Sequence, residues 1–456
     1  MKGVGFTSLY DELRNKFDTF VYYGYKLENS TLTYHFGIKS EALPDKYDFY
    51  PTWTFPFNLE TLDSNREQAD EIIFSLGMAE LISYWKCCCP PEVEIRCGYL
   101  SDWKKSWWKK LYYNGLGEFF YRNEINADFD GFMNIICTEN RAPKSFGEFS
   151  GILSGALVPV GGGKDSVVTL EMLKKAGEDI TPFMINGRKA IRGCIEAAGI
   201  ASDKAVCFNR TIDKTLLELN KKGFLNGHTP FLAVVAFSAE LCACFLNKKY
   251  VVLSNESSAN ETYVEGKNVN HQYSKSTEFE KDFREYCAKT FGSCAEYFSL
   301  LRPLSEWQIA REFVKYPQYF PVFQSCNLGG KTDIWCCNCA KCLYVYILLA
   351  AFLDDEELVK IFGCNMLNKT ELSDMFDGLV LDGEDKPFEC VGTKNEVRLS
   401  LKMALEKRRE NAPPLLRRFA EKFPDYQPAD LTKFFDKNNF VPDKFLEFVE
   451  MAANEI

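Results

Sequence analysis

The sequence lacks any long uncharged apolar run. Its two longest apolar segments are Cys342–Leu353, which is only a dozen residues long, and Thr229–Leu246, which carries Glu240. A membrane-spanning helix needs about 20 such residues, so no membrane insertion is predicted. Met1–Tyr10 contains one lysine and no apolar stretch, unlike a secretory signal peptide. Eighteen cysteines without such a signal are typical of a reduced, cytoplasmic protein.

An excess of positive charge is also absent. The 456 residues include 64 acidic and 54 basic side chains, which gives a net charge of −10. This balance argues against a protein that coats nucleic acid, and no nucleic-acid partner is predicted. The length allows two or three domains with an ample core.

Three regions of the sequence differ in composition and in their predicted secondary structure. Residues 1–150 are rich in aromatic side chains with short alternating runs, which predicts an N-terminal α+β domain for substrate recognition. Residues 151–355 alternate strand and helix patterns, which is typical of a parallel sheet with helices on both faces. Residues 356–456 are charged and helical, interrupted at Pro413 and Pro414. The predicted strands of the middle region are Ala156–Val160, Ile180–Ile185, Ala205–Phe208, Tyr250–Ser254 and Tyr297–Leu301.

Two clusters in the aromatic-rich region are open to more than one interpretation. Cys87, Cys88 and Cys89 are adjacent and cannot easily share one tetrahedral ion, so buried structural cysteines are favoured over a metal site. Trp107 and Trp108 alternate with lysines, a pattern that can bind nucleotide bases. The same pattern is typical of an amphipathic helix, which is favoured on these residues alone.

The stretch Leu157–Ser166, LVPVGGGKDS, predicts a strand, a glycine loop and the start of a helix. Its spacing is neither G-x-x-x-x-G-K-[ST] nor G-x-G-x-x-G. Glycines allow backbone N–H groups to approach an anion, and a helix N-terminus adds positive potential. A phosphate site is therefore predicted, with Asp165 orienting magnesium or a water molecule. The alternative is a glycine turn before an ordinary helix.

Two later segments supply further candidate phosphate contacts. The apolar strand at Tyr250–Ser254 leads into the polar loop NESSANE, and LLRPLSEWQ carries Arg302 after another strand. Arg302 suits a bidentate phosphate clamp, with a structural ion pair as the alternative. The predicted phosphate-binding residues are Gly161, Gly162, Gly163, Lys164, Asp165, Ser166, Ser254, Asn255 and Arg302.

A cysteine-rich segment predicts a structural zinc site. Cys326, Cys336, Cys339 and Cys342 have the spacing C-x9-C-x2-C-x2-C, which suits four thiolates around a tetrahedral ion. Cys337 is a spare that can replace Cys336 in a shifted register. A redox pair is the alternative. A site of four cysteines with no open position is structural rather than catalytic.

The glycine loop resembles the S-G-G-x-D-S loop of the PP-loop ATP pyrophosphatases, with Gly161 in place of their first serine. The four cysteines resemble the arrangement in 7-cyano-7-deazaguanine synthase, another PP-loop enzyme. The resemblance implies a PP-loop (adenine nucleotide alpha hydrolase-like) parallel-sheet domain within an α/β protein. The aromatic-rich N-terminal domain and a helical C-terminal cap would flank that domain.

A wider resemblance covers residues 50–395. It rests on the segments YWKCCCPPE, LYYNGLGEFFYRN, PVGGGKDS, RTIDKTLLELNKKGFLNGHTPF, SNESSANE and VNHQYSKS. Together these are similar to the UDP-N-acetyl-α-D-muramoyl-L-alanyl-L-glutamate epimerase family of bacterial cell-wall synthesis. The resemblance implies ATP-dependent inversion of the terminal L-Glu of a UDP-muramoyl dipeptide, with release of AMP and diphosphate. It also implies ATP and Mg²⁺ as cofactors, structural Zn²⁺ and functional coupling to a muramoyl-L-alanine L-glutamate ligase.

This reaction needs groups that move a proton at the glutamyl α-carbon. Only three histidines occur in the sequence, and two of them lie in polar, turn-like settings. His35 lies in an aromatic strand and is predicted to be structural. The residues proposed to act in catalysis are Asp165, His228, His271, Lys275 and Glu256. Two rival functions remain: another PP-loop enzyme that forms an amide, a nitrile or a modified nucleoside, and a non-enzymatic nucleotide-binding regulator.

Overall fold

A computed structural model describes residues 8–40, 46–59, 65–139, 146, 152–264, 269–292 and 295–454. Residues 8–139 contain α1 (Leu9–Lys16), β1 (Thr19–Glu28), β2 (Thr31–Lys39), β3 (Tyr47–Phe49), β4 (Thr52–Thr54), α2 (Arg66–Trp85), β5 (Glu92–Ile95), α3 (Asp102–Gly115), α4 (Gly117–Arg122) and β6 (Asn134–Cys137). Residues 152–292 contain β7 (Ala156–Pro159), α5 (Lys164–Lys175), β8 (Ile180–Ile185), α6 (Lys189–Ala197), β9 (Val206–Thr211), α7 (Lys214–Lys221), α8 (Phe231–Leu246), β10 (Tyr250–Leu253) and α9 (Thr277–Thr290). Residues 295–454 contain β11 (Glu296–Ser299), α10 (Glu306–Phe313), α11 (Ala340–Ala350), α12 (Asp355–Phe362), α13 (Ser373–Val380), α14 (Lys394–Lys407), α15 (Pro414–Lys422) and α16 (Asp443–Asn454).

The chain forms two compact units, each assembled from separate segments. The first unit comprises Met1–Leu153, Cys207–Lys248 and Lys281–Ala295. The second unit comprises Ser154–Val206, Lys249–Glu280 and Glu296–Ile456. The predicted division at residues 150 and 355 stays a prediction, and residues 147–151 at its first boundary lie outside the described residues. Within the described ranges, no helix is both long and apolar enough to cross a membrane.

The first unit contains a mixed sheet with the strand order β9-β4-β2-β1-β5-β6. The β1–β2 hairpin is antiparallel, whereas β5 and β6 extend the sheet in parallel. Helix α2 is buried along almost its whole length and packs against α8, β1 and β2. Its Gly77 lies against the Tyr22 ring, where a Cβ would approach the tyrosine oxygen to 2.0 Å. This close approach requires a residue without a side chain.

The aromatic side chains of α3 belong to the core of this first unit. Trp107 and Trp108 are buried, and their indole N–H groups donate to the Asp282 carbonyl (2.9 Å) and the Tyr286 hydroxyl (3.3 Å). Lys110 forms an ion pair with Asp282 at 2.6 Å. The arrangement is that of an amphipathic helix, the interpretation favoured from the sequence. The three adjacent cysteines at 87–89 are also buried.

The second unit contains a parallel sheet with the order β11-β10-β7-β8. Its pairings include Tyr250 with Glu296, Tyr250 with Ala156 and Ala156 with Ile180. Four of the five predicted strands are therefore confirmed as neighbours in one parallel sheet. The fifth, predicted at Ala205–Phe208, extends to Thr211, and its Asn209–Thr211 end pairs antiparallel with β4. The structure is a mixed α/β protein, as predicted.

Candidate functional site

The glycine loop joins the end of β7 to the start of α5. Gly163 is the N-cap of that helix. Gly162 has a φ of +83°, a left-handed conformation that favours glycine, and a Cβ there would lie 3.1 Å from the Ile191 nitrogen. A Cβ at Gly161 would meet no atom within 4 Å. The loop is therefore packed against the protein at Gly162 and open to a ligand at Gly161.

The N–H groups of this loop are available for an anion. Within the described part of the chain, no backbone acceptor is bonded to the N–H groups of Gly161–Ser166. The first bond of the turn runs from the Val167 N–H to the Gly163 carbonyl at 3.3 Å. Unpaired N–H groups and the helix dipole attract negative charge at such a position. The Ser166 hydroxyl donates to the Gly163 carbonyl at 2.9 Å, so the loop's backbone offers the anion contacts.

Three carboxylates converge beside the loop. One oxygen from each of Asp165, Glu256 and Glu306 lies within 4.8 Å of the others. They come from the first turn of α5, the loop after β10 and the start of α10. The Lys164 ammonium forms ion pairs with Asp165 and Glu306, although only 1% of its side chain is exposed. The three groups therefore form a charge-compensated cluster in which Glu256 and Glu306 are buried and Asp165 is partly exposed, and we call it the carboxylate cluster.

Nearby lysines determine how these carboxylates ionise. Burial raises the pKa of Asp165, but Lys164 and two further lysines outweigh burial and hold that pKa below its usual range. The two further lysines are Lys341 and Lys275. Burial and the neighbouring carboxylates raise the pKa of Glu306 above its usual range, despite Lys164. The carboxylate cluster therefore combines an ionised Asp165 with a Glu306 that holds a proton more readily.

The donor set of the carboxylate cluster fits a hard divalent cation. Carboxylate oxygens are preferred Mg²⁺ ligands, and three of them converge here. The Lys164 ammonium interacts with two of these groups, so a cation would share them with Lys164 or displace it. The structure thus brings the predicted Asp165 and Glu256 together with Glu306.

Sequence reasoning did not single out Glu306 or Lys341. Glu306 follows Ser305, which forms a capping box with Gln308 at the start of α10. An acidic residue in a first helical turn is common for dipole reasons alone, so it carries no functional signal. Lys341 lies between Cys339 and Cys342 of the predicted zinc site, and a single lysine there carries no signal of its own. Both residues emerge only when the tertiary structure is known.

Ser254 and Asn255, which follow β10, differ in their hydrogen bonds. The buried Ser254 hydroxyl has no hydrogen-bond partner within the described residues. Such a group normally finds a partner, so Ser254 fits a ligand contact. The Asn255 amide instead donates to the Ser299 hydroxyl at 3.0 Å. Asn255 therefore connects the ends of β10 and β11.

Arg302 forms the structural ion pair that the sequence left open as an alternative. Its side chain is fully buried, and its guanidinium pairs with Glu280 at 2.9 Å. It also donates to the carbonyl of Glu256 at 2.5 Å and to that of Lys275. Arg302 therefore fixes the two loops that carry Glu256 and Lys275, and its role as a phosphate clamp stays a prediction.

Arg302→Met is expected to lower the free energy of unfolding by about 3–5 kcal/mol, because it leaves the buried Glu280 charge unpaired. Urea unfolding measures this loss. Arg418→Met is the matched control: it breaks an ion pair with Asp377 in which the arginine is 37% exposed. That loss is expected to be about 1 kcal/mol or less. Equal small losses from both variants would contradict the structural role of Arg302.

The four predicted zinc ligands meet in one cluster. The sulfurs of Cys326, Cys336, Cys339 and Cys342 all lie within 4.8 Å of one another. Backbone N–H groups point at three of these sulfurs: Gly329 at Cys326 (3.1 Å), Asn338 at Cys336 (3.4 Å) and Cys342 at Cys339 (3.4 Å). N–H groups directed at sulfur stabilise thiolates, the form that binds zinc. The donor set therefore fits a closed, structural Zn²⁺ site.

The structure also distinguishes Cys336, a predicted zinc ligand, from the neighbouring Cys337. The Cys337 sulfur lies 3.1 Å from the Phe362 carbonyl and is not part of the cluster. Its backbone φ of +49° lies in the left-handed region. The register with Cys336 is therefore the one that fits the geometry.

The three histidines lie in different surroundings. In the first unit, His228 Nδ1 lies 3.7 Å from a Glu118 oxygen. In the second unit, the ring of His271 lies near Tyr263, with centroids 5.5 Å apart, and is hydrogen-bonded to the Cys390 thiol. His35 stacks between two tyrosine rings, consistent with the predicted structural role.

The second unit therefore combines a parallel α/β sheet with an open glycine loop, the carboxylate cluster and four clustered cysteines. The chain belongs to the MurL family. The MurL N-terminal domain matches residues 11–300, and the MurL C-terminal domain matches residues 322–433. The resemblance seen in the sequence is thereby confirmed.

Three curated relatives are each named UDP-N-acetyl-alpha-D-muramoyl-L-alanyl-L-glutamate epimerase. The Xanthomonas oryzae pv. oryzae protein is 34% identical over 81% of this chain and 82% of its own. The Micromonospora protein is 31% identical over 91% and 93%, and the Salinispora tropica protein is 34% identical over 74% and 75%. No solved structure matches the chain. The shared name supports an enzyme of the epimerase class.

Proposed function

We propose that this protein is an ATP-dependent epimerase. It inverts the terminal L-Glu of UDP-MurNAc-L-Ala-L-Glu to D-Glu, with release of AMP and diphosphate, in cytoplasmic peptidoglycan precursor synthesis. The observation that carries the proposal is the carboxylate cluster at the open glycine loop, in a chain whose relatives are named for this substrate. Among the residues predicted to act in catalysis, Asp165 and Glu256 belong to this cluster.

Activation of the carboxylate explains the need for ATP. Removing the α-proton of a free carboxylate would give a dianionic enolate, which is strongly disfavoured. Attack of the substrate carboxylate on the α-phosphate of ATP forms an acyl-adenylate and expels diphosphate. The acyl-adenylate lacks the carboxylate charge, so its α-proton is more acidic. A base removes that proton, an acid returns one to the opposite face, and water then cleaves the adenylate.

In this proposal the domain is a PP-loop domain, in which the glycine loop binds phosphate and the carboxylate cluster binds Mg²⁺. The N–H groups of Gly161, Gly162 and Gly163 hold the diphosphate. Asp165 and Glu306 would hold Mg²⁺, which neutralises phosphate charge when bound. Lys341 and Lys275 place positive charge at Asp165, where the anionic substrates meet.

The pKa of Lys275 indicates which proton-transfer step this residue suits. His228, His271, Lys275 and Glu256 remain the candidates from the sequence. Burial lowers the pKa of Lys275, but nearby acidic groups outweigh it and raise that pKa above its usual range. As an ammonium ion, Lys275 suits returning a proton rather than removing one.

The remaining parts of the proposal concern the zinc site, the N-terminal region and the source of the substrate. The zinc site is structural, and the aromatic-rich N-terminal region recognises the UDP-sugar. A muramoyl-L-alanine L-glutamate ligase supplies the substrate.

Incubation with ATP, Mg²⁺ and UDP-MurNAc-L-Ala-L-Glu is expected to release AMP and diphosphate and to yield D-Glu. Diphosphate release and chiral analysis of the hydrolysed dipeptide measure the two parts of the reaction. UDP-MurNAc-L-Ala without glutamate is the control and should release no diphosphate. Equal release with and without the glutamyl substrate would contradict the proposal. Diphosphate release with formation of an amide or nitrile would favour the rival PP-loop activity.

A further inference from the structure

The turn before α14 holds one cysteine in a fixed position. The Val391 N–H bonds to the Glu389 carbonyl at 2.8 Å, which closes a tight turn around Cys390. The Tyr263 hydroxyl donates to the Glu389 carbonyl at 3.0 Å, and the Lys341 ammonium donates to the Cys390 carbonyl. The Cys390 residue remains partly exposed. Its backbone is therefore anchored from two separate segments of the second unit.

Two basic side chains contact this thiol. Hydrogen bonds join Cys390 to His271 and to Lys275. The Lys275 ammonium is itself oriented by a bond to the Gln272 side chain at 3.0 Å. Burial raises the pKa of the thiol, but Lys275, His271 and Lys341 outweigh it and lower that pKa to about 6. Cys390 is therefore largely a thiolate at neutral pH, the form that accepts a proton.

Two lysines connect this thiol to the carboxylate cluster. Lys275 interacts electrostatically with Cys390. The same ammonium interacts with Glu256 and Asp165. Lys341 likewise influences both Cys390 and Asp165. A substrate carboxyl group activated at the cluster therefore lies near the thiol, and its α-carbon is the next atom along the substrate.

We propose that Cys390 is a catalytic residue that exchanges a proton with the glutamyl α-carbon, with His271 as its positioning residue. This inference rests on the proposed function. The thiolate sulfur forms an S–H bond with the α-hydrogen, and the C–H electron pair moves to the acyl carbonyl to form an enolate. An acid on the opposite face supplies the second proton. In the reverse direction the Cys390 thiol donates its proton to the enolate.

The position of Cys390 distinguishes it from the other cysteines around the site. Cys326, Cys336, Cys339 and Cys342 are committed to the zinc cluster. Cys194 is buried, and its sulfur lies 3.5 Å from the Gly162 carbonyl. Cys390, by contrast, has both a histidine and a lysine hydrogen-bonded to its sulfur. This pairing is the arrangement that generates a reactive thiolate.

Cys390→Ser is expected to lower inversion of the glutamyl residue at least about 100-fold, since a serine hydroxyl is a far weaker acid than a thiol. Substrate-dependent diphosphate release should stay within about threefold of the unaltered protein, because adenylation does not use the thiol. Chiral analysis and deuterium incorporation at the α-carbon in D₂O measure inversion. Cys207→Ser, at a partly exposed cysteine of the first unit, is the matched control and should leave both activities unchanged.

The outcomes separate this inference from the proposed function. Absence of diphosphate release from the unaltered protein would refute the proposed function itself. Normal adenylation with normal inversion in Cys390→Ser would overturn the role of Cys390. A parallel loss of both activities would also overturn it, because the residue would then act in structure or adenylation. Only a selective loss of inversion supports the inference.

Alkylation gives a readout that needs no substrate. Iodoacetamide labelling of Cys390, followed by peptide mass spectrometry, should reach its half-maximal rate near pH 6, against about 8.5 for an ordinary thiol. The groups that face the thiol are His271, Lys275 and Lys341, with Tyr263 and Glu389 beside it. Replacing His271 with asparagine should move the midpoint upward and lower inversion more than adenylation. A midpoint at the ordinary value in the unaltered protein would overturn the inference.

Discussion

Asp165→Asn is expected to reduce substrate-dependent diphosphate release by about 10²–10³-fold, the usual cost of removing one preorganised electrostatic group from an active site. Asp165 is the member of the carboxylate cluster whose pKa is held below its usual range by Lys164 and other lysines. The amide keeps the shape of the side chain but removes the negative charge. The proposed Mg²⁺ site would then lose one carboxylate ligand, and the lysines would lose a negative charge that they face.

The same substitution should leave the protein folded, because Lys164 keeps its ion pair with Glu306. Thermal unfolding and diphosphate release should therefore respond differently. Asp203→Asn, at an exposed position of the same unit, is the matched control and should change neither. Full turnover by Asp165→Asn would contradict the assignment of the loop. A second check is the Mg²⁺ concentration for half-maximal activity, which should rise in Asp165→Asn alone.

The parallel sheet of the second unit was predictable because its strands are short apolar runs that end at polar or glycine-rich turns. β7, β8, β10 and β11 lie within one or two residues of their predicted bounds. The glycine loop was also predictable, because the residues that would contact a phosphate are consecutive in the sequence. The antiparallel pairing of β9 with β4 could not be predicted, because β4 comes from a distant part of the sequence.

The carboxylate cluster could be predicted only in part. Asp165 and Glu256 lie in polar loops that already indicated function, whereas Glu306 has the sequence context of an ordinary helix start. Which of these side chains meet is decided by the sheet, which brings the ends of β7, β10 and β11 together. Cys390 lies in KPFECVGT, a segment with no motif, and its chemistry comes entirely from its tertiary neighbours.

Arg302 illustrates a motif that sequence alone cannot resolve. A guanidinium after a strand suits either a phosphate or a buried carboxylate, and both are bidentate partners. The choice depends on Glu280, which lies in the first turn of α9 and forms the ion pair. A buried charge needs a partner within the protein, so the fold itself determines the use of this arginine.

Cys342→Ala is expected to abolish zinc binding and to destabilise the second unit by several kcal/mol, since structural zinc sites in small domains contribute about 10–16 kcal/mol of apparent binding energy. Cys342 lies in the first turn of α11 and is fully buried, so its sulfur cannot be replaced by water without a local opening. Elemental analysis should find about one zinc ion per chain in the unaltered protein and almost none in this variant. A chelator should lower the unfolding temperature of the unaltered protein.

Cys337→Ser separates the zinc site from a general effect of cysteine loss. Its sulfur faces the Phe362 carbonyl, so this variant should keep both its zinc and its unfolding temperature.

Loss of zinc should also lower activity, because Lys341 lies between the predicted ligands Cys339 and Cys342 and bonds to the Cys390 carbonyl. Without the ion, that lysine would no longer be held between Cys390 and the carboxylate cluster. Isolation of the unaltered protein with no zinc and a Cys336–Cys342 disulfide would instead establish the redox pair, since these sulfurs lie 3.7 Å apart.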